Sequence, residues 1–262
     1  MQSNNKVETI FLGPDETQQG IFDWGLYRIG YFIMKCHDKE GSNEDSSLMI
    51  EGREKLLLAI SDGAGGHPRG DLASQVVVEN LKSHFQGEDY FSILESVESA
   101  NQAVLDLKLG AKATLCFCLI SEDTIQMASV GDSEFIGWNQ KGKNRYSNIP
   151  DSQVGYSIEA GHMTQEQSLD DPERFYVHNM MGDKILRIES SSKISTKKGH
   201  TFVMGSDGLF DNFSHERLYS LIGQGGFEES FDELCKLCRD QAELQKLDDI
   251  SFFVIRKVST SS

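Results

Sequence analysis

Positive charge is scarce in this chain. Across 262 residues, 25 Lys and Arg face 41 Asp and Glu, a formal net charge of −16. A nucleic-acid partner calls for clustered cations, and an anionic membrane surface repels such a chain, so neither is expected as a partner. Proline is also rare. Pro14, Pro68, Pro150 and Pro172 are the four present, and none lies in a Pro-rich hinge that would separate domains. The longest apolar runs, residues 56–60 and 115–120, have the length of strands and fall far short of a membrane-spanning helix. Residues 1–15 show neither a basic stretch nor an apolar one, so no secretory leader is expected. The five cysteines, an odd number, read as reduced thiols in a cytoplasmic protein.

What is present suits a globular domain. Hydrophobic residues make up 38% and charged residues 25%, enough apolar surface to build a full core. No repeat of 20–50 residues is visible. The reading is a polar N-terminal arm over residues 1–17 and a single domain over 18–262. Strand-like runs occur at 26–36, 56–61, 115–120, 124–130, 134–139, 201–205 and 250–258. Leu72, Val76, Leu81 and Phe85 recur at helical spacing after Pro68, which suits a first turn. Phe91, Leu94, Val97, Ala100, Val104 and Leu107 form a second helical stripe, and further helices are expected near 216–222 and 227–242. Residues 147–181 are weakly patterned and read as loop with short helices. Strands and helices are segregated along the chain, which indicates an α+β protein with helices packed on antiparallel sheets.

The chemistry gathers at strand ends. Two apolar runs end in Ser-Asp-Gly, at Ser61-Asp62-Gly63 and Ser206-Asp207-Gly208. A third ends in Gly131-Asp132-Ser133, a fourth begins after Asp248-Asp249, and Asn43-Glu44-Asp45 precedes another apolar stretch. One Asp-Gly pair is ordinarily a turn. Five acidic motifs at strand ends place carboxylates on one rim, where they repel unless a cation lies between them. Oxygen ligands without His or Cys point to Mg²⁺ or Mn²⁺. Motifs of other chemistries are missing: the chain has no phosphate-cradling Gly-x-x-x-x-Gly-Lys-Ser/Thr loop, no Cys with Arg six positions on, no His-Glu-x-x-His and no Gly-x-Ser-x-Gly.

The run from Ser61 to Ser74, containing Asp62-Gly63-Ala64-Gly65-Gly66-His67, resembles the signature of metal-dependent type 2C Ser/Thr protein phosphatases (PPM-type). Asn43-Glu44-Asp45, Val130-Gly131-Asp132-Ser133, Ser206-Asp207-Gly208-Leu209-Phe210-Asp211 and Asp248-Asp249-Ile250-Ser251 match that family's other motifs, in its order. The resemblance implies a four-layer α-β-β-α sandwich. It implies hydrolysis of phosphoserine and phosphothreonine in a phosphoprotein substrate by hydroxide activated between two Mn²⁺ or Mg²⁺ ions. By the same resemblance Asp62 bridges both ions, the Gly63 carbonyl holds one, and Asp207 and Asp248 hold the other. Asp45 acts through metal-bound water, and Asp45, Asp62 and Asp207 are the residues expected to carry catalysis. Asp132 and Asp211 match a third, weaker metal position. A cytoplasmic monomer is expected.

Several residues depart from the family pattern. Glu40 stands where relatives carry an Arg that grips substrate phosphate, and the neighbouring Lys39 is the substitute expected here. Asp249 replaces an Asn, Glu134 an Arg, and Lys112-Ala113-Thr114 a Gly-Thr-Thr. Residues 147–181 correspond to the variable flap and are the candidate for substrate selection. His67 reads as a packing or capping residue, and the cysteines as core. The Glu40 departure sustains a second reading, a catalytically weak member that binds phosphoproteins or a regulator.

Overall fold

The computed structural model describes residues 7–85, 90–240 and 244–259. In chain order the strands are β1 (Glu8–Leu12), β2 (Gln18–Trp24), β3 (Tyr27–Met34), β4 (Asp45–Glu51), β5 (Leu56–Asp62), β6 (Leu115–Ile120), β7 (Thr124–Val130), β8 (Glu134–Trp138), β9 (Asn144–Ser147), β10 (Glu189–Ser190), β11 (Ile194–Ser195), β12 (Thr201–Gly205) and β13 (Ile250–Lys257). The helices are α1 (Gly70–His84), α2 (Tyr90–Asp106), α3 (Gln153–Glu159), α4 (Gln165–Leu169), α5 (Asp207–Phe210), α6 (His215–Ile222) and α7 (Phe227–Arg239). One sheet runs β1-β4-β5-β6-β7-β10, with β11 also on β7, and the other runs β2-β3-β13-β12-β8-β9. All named pairings are antiparallel.

Three apolar layers hold the stack together. Val77, Leu81, Val97 and Val104 of α1 and α2 close over Leu57, Ala59, Phe117 and Ala128 of the first sheet. Between the sheets lie Tyr27, Leu58, Ile60, Met127, Phe135, Phe202 and Phe253. On the far side Phe231, Leu234 and Cys235 of α7 and Leu218 of α6 cover Phe32, Phe252 and Val254. The result is the expected α-β-β-α sandwich. The period-2 alternation of each central strand feeds both of its faces, because both are buried. All five cysteines are buried and free, with Cys116 and Cys118 between the sheets and Cys235 and Cys238 on the buried face of α7.

Some elements differ from the sequence reading. Residues 8–12, within the segment read as a polar arm, pair with β4 as an edge strand, and Ile10 and Leu12 pack on the helix-side core. Residues 18–24 form β2, hairpinned to β3 through Gly25 at φ 54°. Its alternately exposed pattern contains Gln18, Gln19, Gly20 and Asp23, a weak strand signature that only pairing with β3 completes. Pro68 lies before the first turn of α1, not within it: the helix starts at Gly70, after Arg69 in the left-handed region at φ 57°. The buried face of α1 is Ala73, Ser74, Val77, Val78 and Leu81, one position round from the expected Leu72 and Val76.

Phe253 lies between the sheets with no exposed surface. Phe253→Ala should lower stability to urea by about 3–5 kcal/mol, the usual cost of an aromatic cavity. A loss below about 1 kcal/mol would show that the two sheets do not share a packed core here.

Candidate metal centre

The strand ends deliver the acidic residues to one rim. Antiparallel register sets Asp45, the first residue of β4, opposite Asp62, the last of β5. The turn between β7 and β8 carries Asp132, Asp207 follows β12, and Asp248 and Asp249 precede β13. Asp62, Gly63, His67, Thr114, Asp132, Asp207 and Asp248 line a cavity of about 420 Å³, walled on its other side by Phe175, Tyr176, Val177 and Met180. Asp45 lies behind it, fully buried. Asp211, at the end of α5, lines a neighbouring small pocket with Asp132 and Asp207.

The backbone around Asp62 is built to be held still. Thr114 donates its N–H to the Asp62 carbonyl at 2.7 Å and accepts the Asp62 N–H on Oγ1 at 3.1 Å. Ser61 Oγ donates to the Thr114 carbonyl at 2.6 Å, and Thr114 Oγ1 is 2.7 Å from Ser133 Oγ. Thr114 therefore does the positioning work although the Gly-Thr-Thr pattern around it is altered. Gly63 needs to be glycine: a Cβ there would lie 2.3 Å from the carbonyl carbon and oxygen of Gly70. That contact brings the start of α1 against the end of β5.

The charges do not balance by themselves. Burial, then repulsion from Asp207, Asp45, Asp248 and Asp132, pushes the Asp62 carboxyl well above the ordinary range. Burial and Asp249 raise Asp45 to about 8, burial and Asp207 raise Asp132 to about 8, and burial and Asp248 raise Asp207 to about 6. A hydrogen bond from Asp62 relieves part of the repulsion at Asp207. Asp45 Oδ2 accepts from Ser206 Oγ at 2.9 Å, while its buried Oδ1 has no hydrogen-bond partner.

Lys39 is placed differently from the phosphate contact expected of it. Its Nζ lies 2.8 Å from Glu44, 2.9 Å from Asp248 and 3.2 Å from Asp249, so three carboxylates use its three donors. Burial opposes its charge, but Asp248, Glu44 and Asp249 outweigh that and hold the ammonium well above its ordinary pKa. It acts in this arrangement as a counter-ion within the rim, and Glu40 beside it is exposed. Asp249, which stands where relatives carry an Asn, is a buried staple: its Oδ1 accepts the Cys36 N–H at 2.8 Å and its Oδ2 the Glu44 N–H at 2.8 Å. The exchange of Asn for Asp is legible in sequence, but the loop that it ties down is not. Glu134 pairs with His215 Nε2 at 2.7 Å, and His67 is exposed at the cavity edge.

Among the described residues no three His, Cys, Asp or Glu side chains already form a closed metal cage. The donor set nevertheless suits a hard cation that keeps part of its water shell. Apart from His67, exposed at the cavity edge, its charged donors are carboxylates, with an orphaned buried carboxylate oxygen at Asp45, a glycine where no Cβ fits, and an open cavity beside them. The flap is tied to the same rim. Asp151 accepts from Asn179 Nδ2 at 2.6 Å, from Tyr156 Oη at 3.0 Å and from the Gly131 N–H at 3.4 Å.

A family profile described as Protein phosphatase 2C matches residues 35–250. A protein of Streptococcus pyogenes named for protein phosphatase 2C is 25% identical over 236 residues, covering 84% of this chain and 94% of that one. The serine/threonine protein phosphatase PstP of Mycobacterium tuberculosis is 26% identical over 208 residues, covering 75% of this chain and 39% of that longer protein. The fold matches the crystal structure of the catalytic domain of PstP in complex with two manganese ions, with a TM-score of 0.72 at 22% identity over 89% of this chain and 99% of that one.

Folding makes these buried carboxyls hold protons more tightly than the unfolded chain does. The metal-free native state therefore gains stability at low pH and loses it as pH rises through about 6 to 8. In chelator, the melting temperature should fall from about pH 5 to about pH 8, and excess Mn²⁺ should abolish that fall. A melting temperature that rises over this range in chelator would contradict the carboxylate cluster.

Proposed function

The chain belongs to the protein phosphatase 2C family, and from that premise we propose that it hydrolyses phosphoserine and phosphothreonine in proteins at the acidic rim, using two Mn²⁺ or Mg²⁺ ions. The observation that carries this reading is the set of four carboxylates, Asp45, Asp132, Asp207 and Asp248, that face Asp62 beside an open cavity. Asp62, the Gly63 carbonyl, Asp207 and Asp248 are the groups that would hold the ions, with Asp45 behind them reaching through water. When bound, such a pair supplies a water of lowered pKa as nucleophile and offsets charge on the phosphoryl oxygens.

The chain's own residues do the rest. Thr114 and Ser133 hold the Asp62 backbone, so the geometry does not have to be assembled at each turnover. Ser206 orients Asp45 by its 2.9 Å hydrogen bond. Lys39 steadies Asp248 against Asp249 and Glu44. A phosphoryl group entering the cavity meets the carboxylates on one side, and the peptide that bears it lies towards Phe175 and Tyr176, which are 69% and 64% exposed. These two aromatics give the flap a part in substrate selection.

Residues 18–262 act as one catalytic domain, with β1 of the preceding segment paired onto its β4 edge. No helix among the described residues is long and apolar enough to cross a membrane, and we place the protein in the cytoplasm as a monomer. The second reading, a weak or non-catalytic binding module, is not favoured: Glu40, the departure that prompts it, is exposed and does not line the cavity beside Asp62.

Chelation should abolish turnover of a phosphoserine peptide and of a chromogenic phosphomonoester, and Mn²⁺ or Mg²⁺ should restore both. Turnover that survives exhaustive chelation would refute the mechanism, and none with any divalent ion would favour the binding module. Asp207→Asn should lower kcat at least about 10²-fold, the scale of losing a main electrostatic element. Its melting temperature in chelator should stay level or rise, because one source of repulsion is gone. Undiminished turnover in this variant would remove Asp207 from the site.

A further inference from the structure

Of Asp211 and Asp132, matched by sequence to a third metal position, Asp211 lies against two cations of the chain itself, and Asp132 shares a pocket with one of them, Arg174. Arg174 comes from the flap and its side chain is buried. Its Nη2 pairs with Asp211 Oδ1, and its Nη1 donates to the Ser168 carbonyl at 2.8 Å. Its Nε is buried with no hydrogen-bond partner. Lys246 Nζ approaches the other oxygen of Asp211, Oδ2, at 3.3 Å, and lies 4.2 Å from the Phe175 ring centroid. Both oxygens of Asp211 thus face the chain's own cations. Glu134, another carboxylate of the same pocket, is engaged by His215.

Space gives the same answer. The pocket bounded by Asp132, Glu134, Arg174, Asp207 and Asp211 has a volume of about 20 Å³. That is room for about one water, whereas a Mg²⁺-like ion at a weak site keeps several. The cavity beside Asp62 is about 420 Å³. A third ion fits poorly among these residues as they stand, and two ions beside Asp62 do not meet that obstacle.

We propose that this chain fills the third cation position itself: Arg174, assisted by Lys246, takes the place of a metal ion at Asp211 and Asp132 and latches residues 164–177 to the catalytic rim. The inference rests on the two-ion reading above for the rest of the centre. A guanidinium suits the task because it stays protonated when buried and presents a planar fork to carboxylates. Burial opposes its charge here, while Asp207, Glu134 and Asp132 favour it. Unlike a metal ion, it is lost neither to dilution nor to chelation. The wall of the cavity that carries Phe175 and Tyr176 should therefore keep its place when metal is scarce.

The test uses the whole protein and Mn²⁺, with ions per chain counted by titration calorimetry and by metal analysis after gel filtration. Wild type should bind two ions, and Arg174→Gln should bind a third, weakly, in the space the guanidinium leaves. Three ions in the wild type would overturn the proposal. Two ions in both proteins would overturn it equally, since removing the cation would then uncover no site. Fewer than two in the wild type would contradict the two-ion reading instead, and the latch is then decided by limited proteolysis in chelator. There Arg174→Gln and Asp211→Asn, each checked for a cooperative thermal transition, should be cut within residues 164–187 at least about tenfold faster than wild type, the scale of losing a charge-assisted bond. Equal cleavage of wild type and both variants would overturn the latch.

Discussion

Repulsion between carboxylates is the constraint on which this structure turns. Asp62 faces four other acidic side chains across distances short enough to raise its pKa strongly. Left alone, such a cluster takes up protons or drives the strand ends apart. The scaffold opposes the second outcome with packing and hydrogen bonds placed a few ångströms behind the charges. Three apolar layers clamp the strands. Thr114, Ser61 and Ser133 then fix the loop that carries Asp62, and the Asp249 carboxylate pins the loop from Cys36 to Glu44. On the proposed two-ion reading, the repulsion that remains is what a pair of divalent cations would relieve.

The protein also balances charge with its own cations, outside the cavity proper. Lys39 sits on the side of Asp248, and Arg174 with Lys246 on the side of Asp211. Between these two clusters the cavity beside Asp62 is left with uncompensated negative charge. On the proposed function, this placement would let a chain of net charge −16 receive a phosphate dianion: negative charge at the rim is offset by fixed side chains at the edges and would be offset by metal at the centre. It also couples the flap to the site, because Arg174 and Asp151 both tie the 148–187 region to residues of the rim.

The parts legible in the sequence were those with a local signature. The buried strands β5, β6, β7, β12 and β13 announce themselves as apolar runs, and the acidic motifs at their ends identify the rim. The edge strands β1 and β2 were hidden because edge strands alternate weakly and carry polar residues; their identity comes from pairing with β4 and β3. The short β10 and β11 exist only by pairing with β7. At the site, Asp45, Asp62, Asp132, Asp207 and Asp248 could be named from motifs, but their counter-ions could not. Lys39 stands beside the position of a phosphate-gripping Arg and so invited a phosphate role, whereas the fold turns it onto Asp248 from a separation of 209 residues along the chain. Arg174 lies in a stretch with no periodicity, and only the tertiary structure reveals its partner.

The most direct test of the central claim is crystallographic: anomalous diffraction at the manganese edge from crystals soaked in Mn²⁺. Two strong peaks are expected in the cavity beside Asp62, one flanked by Asp207 and Asp248 and the other reached by the Gly63 carbonyl, and none between Asp132 and Asp211. Peaks confined to other surfaces, or a cavity free of anomalous density at saturating Mn²⁺, would contradict a metal centre at this rim.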